Sequence, residues 1–244
     1  MAPLTLLALV IITIVALAAV NAINLRQQTL KQLARRQQRL YHDLEQLEEA
    51  LAASLQYVED IEVSRQLAKE KLATLQLLLE LERHNPAPLQ ARVEQAQTYL
   101  QNLSTGGTER QINRYCYSDV EIKAAQEKLA RAAVCLHQRW SSERMDREAA
   151  NQCRQQIDWA TLMVRVLSLL GAAYSARDNN QNISALNYFR KVQSLLQASQ
   201  HTDPRRLQLI KEIAQVIRLE KPYIDAALFP EYHALIESEE AHAV

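Results

Sequence analysis

From Leu4 to Asn24 the chain is apolar and carries no charged side chain; the first ionised residue is Arg26. At about 1.5 Å of rise per residue, roughly 20 such residues cross the ~30 Å core of a bilayer. Residues 1–24 are therefore expected to form a transmembrane anchor, with Leu4, Leu7, Ile11, Ile14, Leu17 and Ala22 inside the lipid. From residue 25 to residue 83 the pattern becomes a heptad. One line runs through Leu30, Gln37, Leu44, Leu51, Val58, Arg65, Leu72 and Leu79; the other runs through Leu33, Leu40, Leu47, Ser54, Ile61, Ala68, Leu75 and Glu82. Its apolar members predict a stalk helix that pairs as a coiled coil or folds back in a helical hairpin. As one helix it would reach about 80 Å. Pro86 and Pro88, just after His84, end the seam.

Residues 84–236 read as a helical bundle and residues 237–244 as an acidic tail. Leu89, Val93, Ala96, Leu100 and Leu103 recur at helical spacing, and Ser104–Thr108 then breaks the pattern. Ser118-Asp-Val-Glu121 is a capping-box sequence, so a helix starts there and carries Leu129 and Leu136 toward Trp140. The apolar pattern resumes at Ile157, Trp159, Leu162, Val166 and Leu169; a hairpin bent near 141–146 and one long bent helix both fit. Asp178–Asn182 is a turn, and Phe189, Val192 and Leu195 mark the next helix. Thr202-Asp203-Pro204 opens another, with Leu207, Ile210, Ile213 and Val216 inward and Pro222 closing it. Residues 223–236 are expected to form a last short helix, interrupted or started at Pro230. The fold class is all-α: an N-terminal transmembrane helix, a long heptad-patterned helix and a helical-hairpin bundle.

One stretch of the bundle resembles a tetratricopeptide-type hairpin. Leu170, Gly171 and Tyr174, followed by Ala185 and Phe189, occupy the small and aromatic positions where two such helices meet. The likeness spans about one repeat, residues 167–196, its turn is longer, and Val192 stands where a small residue is usual. The resemblance implies helix-hairpin packing and a protein-binding role.

Composition narrows the chemistry. The only glycines are Gly106, Gly107 and Gly171, too few for a Rossmann, P-loop or nucleophile-elbow motif. Formal charge is balanced, with 28 basic and 28 acidic residues, which argues against a nucleic-acid binder. Cys116, Cys135 and Cys153 are odd in number and widely spaced, the usage of free thiols in a reducing compartment, with a Cys135–Cys153 bridge as the lesser alternative. Arg26, Lys31, Arg35, Arg36 and Arg39 follow the apolar stretch before any Asp or Glu, so the body is expected in the cytoplasm and the N-terminus outside. No Lys or Arg precedes the apolar run, which favours an uncleaved anchor over a signal peptide. Acidic residues then dominate from Asp43 to Glu62, a solvated face or one that meets the basic block in a non-parallel arrangement.

No constellation points to catalysis. Cys135 and His137 are two residues apart and diverge on a helix; Tyr115, Cys116 and Tyr117 read as helix-entry packing; His84, His201 and His233 have no metal-ligand spacing. The expectation is a non-enzyme without cofactor or metal. Its partners would be the membrane and other proteins, with a homo-oligomer through the stalk as an option. The function expected is a single-span adaptor or scaffold at the cytoplasmic membrane face; the alternative is an envelope-side or secreted helical component of a transport or secretion assembly.

Overall fold

A computed structural model of the chain describes residues 2–82, 85–105, 110 and 112–231; the side chains of residues 2–20, 22 and 23 fall outside that description, as do His84, Gly106, Gly107, His233 and the acidic tail. The described residues form seven helices and no strand: α1 (Ala2–Tyr57), α2 (Ile61–Leu81), α3 (Ala87–Ser104), α4 (Asp119–Ser141), α5 (Arg147–Asp178), α6 (Asn182–Ala198) and α7 (Arg205–Ile217). Sequential helices pack on one another, except that α4 returns from α3 to lie on α1. The protein is an all-α bundle.

The expected stalk is not one helix. It breaks at Val58-Glu59-Asp60, and α2 doubles back onto α1. The break has a local cause: Asp60, with extended backbone, accepts from the Glu62 N–H at 2.8 Å and starts a new helix. Leu44, Leu47, Leu51 and Val58 of the seam are buried, so its first half packs within the chain. Beyond the break the buried face turns by about one residue. Leu75 stays buried, Ile61, Leu72 and Leu79 are only half-buried, and Val63, Leu67 and Leu78 are wholly buried instead. Ser54 and Ser64, both fully buried, meet across the α1–α2 contact at 2.9 Å, and Ser54 also donates to the Leu51 carbonyl. Two small hydroxyls that satisfy each other let the helices approach closely without stranding a polar group.

α5 is the spine. Its first half, with Cys153, Ile157, Ala160 and Val164, closes a core against α1, α2 and α4. The second half, from Trp159 to Ala176, builds a separate core with α6, α7 and the segment holding Ile224 and Phe229. α5 is also a helix long and apolar enough to cross a membrane, and 72% of its most apolar window is buried within the protein. Burial on that scale is what a shared core helix needs. Of the apolar stretch, the side chains of residues 4–20, 22 and 23, and with them the expected lipid-facing set, lie outside the described residues.

α4 and α5 form a hairpin rather than one bent helix, with Met145 buried in the loop and Asp146 capping α5 through the Ala149 N–H. α4 starts at the expected cap: Ser118 accepts from the Glu121 N–H at 3.2 Å, while Glu121 reaches back to the Tyr117 N–H. α7 stops at Ile217, before Pro222. Leu219 there adopts a φ of 62°, and the Leu219 and Glu220 N–H groups donate to the Val216 and Gln215 carbonyls. The same closure ends α4 at Glu143 and α5 at Asn180, so non-glycine residues hold these left-handed positions. Residues 223–229 carry no helix and turn back so that the Ile224 N–H donates to the Tyr174 hydroxyl and Phe229 enters the core; helical backbone begins at Pro230.

Candidate functional site

Two surfaces, one hairpin contact and one partly buried hub are candidates. The first is the upper part of α1, a single helix running without a break from the apolar stretch into the bundle. Arg26, Lys31, Arg35, Arg36 and Arg39 are all exposed and, among the described residues, none is in an ion pair with a carboxylate. At 3.6 residues per turn, Lys31, Arg35, Arg36 and Arg39 share an arc of about 140°. Leu30, Leu33 and Leu40 lie on the opposite side, whose continuation through Leu44 packs on α2 and α3. The cations thus face away from those helices. Leu30 is 64% exposed and Leu33 half-buried, so the seam is largely uncovered here.

The hub centres on Glu59, in the α1–α2 corner. Arg114, only 5% exposed, pairs with Glu59 at 2.6 Å and with Glu231 at 2.7 Å. Arg205, at the start of α7, pairs with the same Glu59 oxygen at 2.9 Å and with Asp203 at 2.8 Å. Arg110 donates to the Glu59 carbonyl at 2.6 Å. Burial alone would raise the Glu59 carboxyl, but the hydrogen bond from Arg205 and the charge of Arg114 outweigh it and hold the group below its ordinary value. Asp203 is lowered in the same way, burial being overcome by the side-chain and backbone hydrogen bonds of Arg205. Arg205 also lies 5.2 Å from the Trp159 ring, and His201 stacks on that ring at 5.0 Å. His201 accepts from the Asp203 N–H at Nδ1 and reaches the Gln155 carbonyl with Nε2, the bonding of the Nε2–H tautomer. The hub joins the α1–α2 corner, the α3–α4 linker, the α6–α7 loop and the C-terminal turn. Sequence reasoning missed it because its members are scattered along the chain; the one visible hint was a paired acid, Glu59-Asp60, interrupting the heptad.

The α5–α6 hairpin brings Leu170, Tyr174, Ala185 and Phe189 into one core, with the Tyr174 and Phe189 rings edge to face at 5.4 Å. Burial pushes the Tyr174 phenol up to about 12. Gly171 does something else. A Cβ there would overlap the Tyr115 ring, with Cζ at 2.8 Å, so the glycine admits the α3–α4 linker rather than α6. The second surface is a groove of about 470 Å³ between α4 and α5. Its apolar part is Ala133, Val134, Leu136, Trp140 and Ala150, and Arg147 and Arg154 border it. Val134 and Trp140 are 55% and 39% exposed.

The thiols are free and buried in the first core. Burial raises Cys116, pushes Cys135 up to about 11 and pushes Cys153 up to about 12, so they are protonated at neutral pH. Among the described residues no group of three His, Cys, Asp or Glu side chains is placed to hold a metal. Compared with protein-family models, curated proteins and solved structures, the chain matches none.

Proposed function

We propose that this is a single-span, membrane-anchored adaptor that holds a helical body at the cytoplasmic face for other proteins to bind. The observation that carries the reading is the continuity of α1. One unbroken helix joins the apolar stretch Leu4–Asn24 to the bundle, with five exposed cations and no acid between Leu25 and His42. A helix satisfies its own backbone in lipid, and cations flanking a span are retained in the cytoplasm. The protein-binding half of the proposal draws support from the α4–α5 groove, where an exposed Trp, an apolar floor and bordering arginines are the residue types that dominate interface energetics.

The topology test fuses to the C-terminus a reporter active only outside the cytoplasm and, separately, one active only inside. Activity of the inside reporter alone, in membranes that retain the protein through alkaline carbonate, is the expected result. Activity of the outside reporter would move the body to the envelope side and favour a transport or secretion component. The binding half is tested by cross-linking in the native membrane: Trp140→Ala together with Val134→Ser should abolish a specific adduct without changing the amount of folded protein.

A further inference from the structure

We propose that Lys31, Arg35, Arg36 and Arg39 form a contact surface for anionic phospholipid headgroups, and that this contact leans α1 toward the membrane on its cationic side. The inference rests on the anchored reading and adds to it a lipid class and an orientation. Eighteen residues, 25–42, contain five cations and no carboxylate, and among the described residues none of the five is in an ion pair; Asp43 stands at the lower edge of the same face, beside Arg35 and Arg39. Four of them share one face, opposite the leucines that lead down to the α2 and α3 contact, with α4 packed on α1 below them. The seam leucines occupy the other side of the helix, which leaves this side to the four cations. A cationic face on a helix rooted in the bilayer does have a complement within reach, the phosphates of an anionic leaflet.

Because α1 has no break, the position of each cation is fixed by its distance along the axis. Counted from Asn24, Lys31 lies about 10 Å, Arg35 about 16 Å and Arg39 about 22 Å along the helix. Upright, the outer ones would stand clear of the headgroups. Membrane helices tilt by about 20° on average and up to about 40°. A tilt toward the cationic face lowers Lys31, Arg35 and Arg36, whose long side chains extend further.

The test reconstitutes the full-length protein in phosphatidylcholine vesicles with spin-labelled phosphatidylglycerol or spin-labelled phosphatidylcholine as the probe. The motionally restricted fraction of each gives their relative affinity for the protein. The wild type should prefer the anionic probe at least about fivefold, since one cation near an anionic surface contributes about that factor. K31Q/R35Q/R36Q/R39Q should bring the ratio toward one, as should high salt, while Arg26→Gln alone should reduce it only in part. Unchanged helicity and thermal unfolding of the variant keep the comparison valid, as these side chains are exposed and unpaired. A wild-type ratio of one would overturn the proposal and leave the face to an acidic protein partner; an unchanged ratio in the fourfold variant would overturn it equally. If neither probe is restricted and carbonate strips the protein from the vesicles, the anchor itself has failed, a result distinct from either.

Discussion

Replacing Gly171 by alanine separates two effects of opposite sign. In a helix interior alanine is favoured over glycine by about 0.8–1.0 kcal/mol. Gly171 sits inside α5, yet its missing Cβ is the space the Tyr115 ring occupies, with Cζ at 2.8 Å and the hydroxyl at 2.9 Å from where a Cβ would stand. Carbon atoms pack at about 3.5–4.0 Å, so something must move. The ring is not free to retreat: its neighbour Cys116 donates its N–H to Ser168 at 2.9 Å, and Tyr117 meets the Tyr115 ring edge to face at 4.8 Å. Overpacking costs about 1–3 kcal/mol, so Gly171→Ala should lose up to about 2 kcal/mol net of its propensity gain. In a Tyr115→Ala background the obstacle is gone and the sign should reverse, with Gly171→Ala adding close to 1 kcal/mol, or about 2–4 °C in Tm for a chain of this size. Thermal and denaturant unfolding of the four proteins in detergent micelles, followed by far-UV circular dichroism, gives the cycle. Gly171→Ala stabilising the unaltered protein, or destabilising the Tyr115→Ala protein, would refute the close approach as the reason for this glycine.

Other expectations follow from the hub, the helix ends and the thiols. Arg114→Ala should cost about 3 kcal/mol or more, because Glu231, with a side chain 4% exposed, loses its ion pair; Arg131→Ala, whose bond to Glu49 is half-exposed, should cost under about 1 kcal/mol, and equal losses in denaturant titrations would count against the hub. Leu219→Gly should stabilise by about 0.5–1 kcal/mol, since a left-handed φ of 62° strains leucine by about 1–2 kcal/mol and glycine returns part of that as unfolded-state entropy; a loss of stability would show the leucine side chain to matter more than its backbone. The Cys135 and Cys153 thiols are raised from 9.0 to about 11 and about 12, so their burial contributes fully below pH 9 and its contribution fades as pH rises toward those values; C135A/C153A should flatten that alkaline decline in Tm. Glu59 and Asp203 act with the opposite sign, their lowered values contributing stability above about pH 4.5 and 3.8 that is lost as acid protonates them.

Periodicity made the helices legible because each buries one face, and a 3.6-residue repeat of leucine and alanine records that face directly. The Ser118 cap and the Asp178–Asn182 turn were readable for a similar reason, being chemistry contained within a few residues. What stayed hidden depends on residues far apart in the chain. Nothing near Gly171 announces Tyr115, and its place beside Tyr174 suggested a contact with α6 that the Tyr115 ring takes up instead. The end of α7 was set at Pro222, whereas Leu219 closes that helix earlier through left-handed backbone, as Glu143 and Asn180 close α4 and α5. The heptad concealed its own break for a physical reason: a hairpin of two helices needs the same apolar repeat in both arms as one long helix does, and only the Glu59-Asp60 pair distinguishes them.

That ambiguity bears on self-association. A seam running the length of a stalk would offer a second copy many heptads, but Leu44, Leu47 and Leu51 are already buried inside their own chain, and Leu75 with them. On α1 the seam leucines still substantially uncovered are Leu30 and Leu33. Sustained pairing takes at least about three to four heptads, so this remnant is short of what a coiled coil needs. Arg36 also borders it, and two copies in parallel register would bring these like charges together. The heptads that suggested an oligomer are largely buried within the chain's own fold. The part of α1 that they leave uncovered carries the charge suited to a leaflet rather than to its own copy.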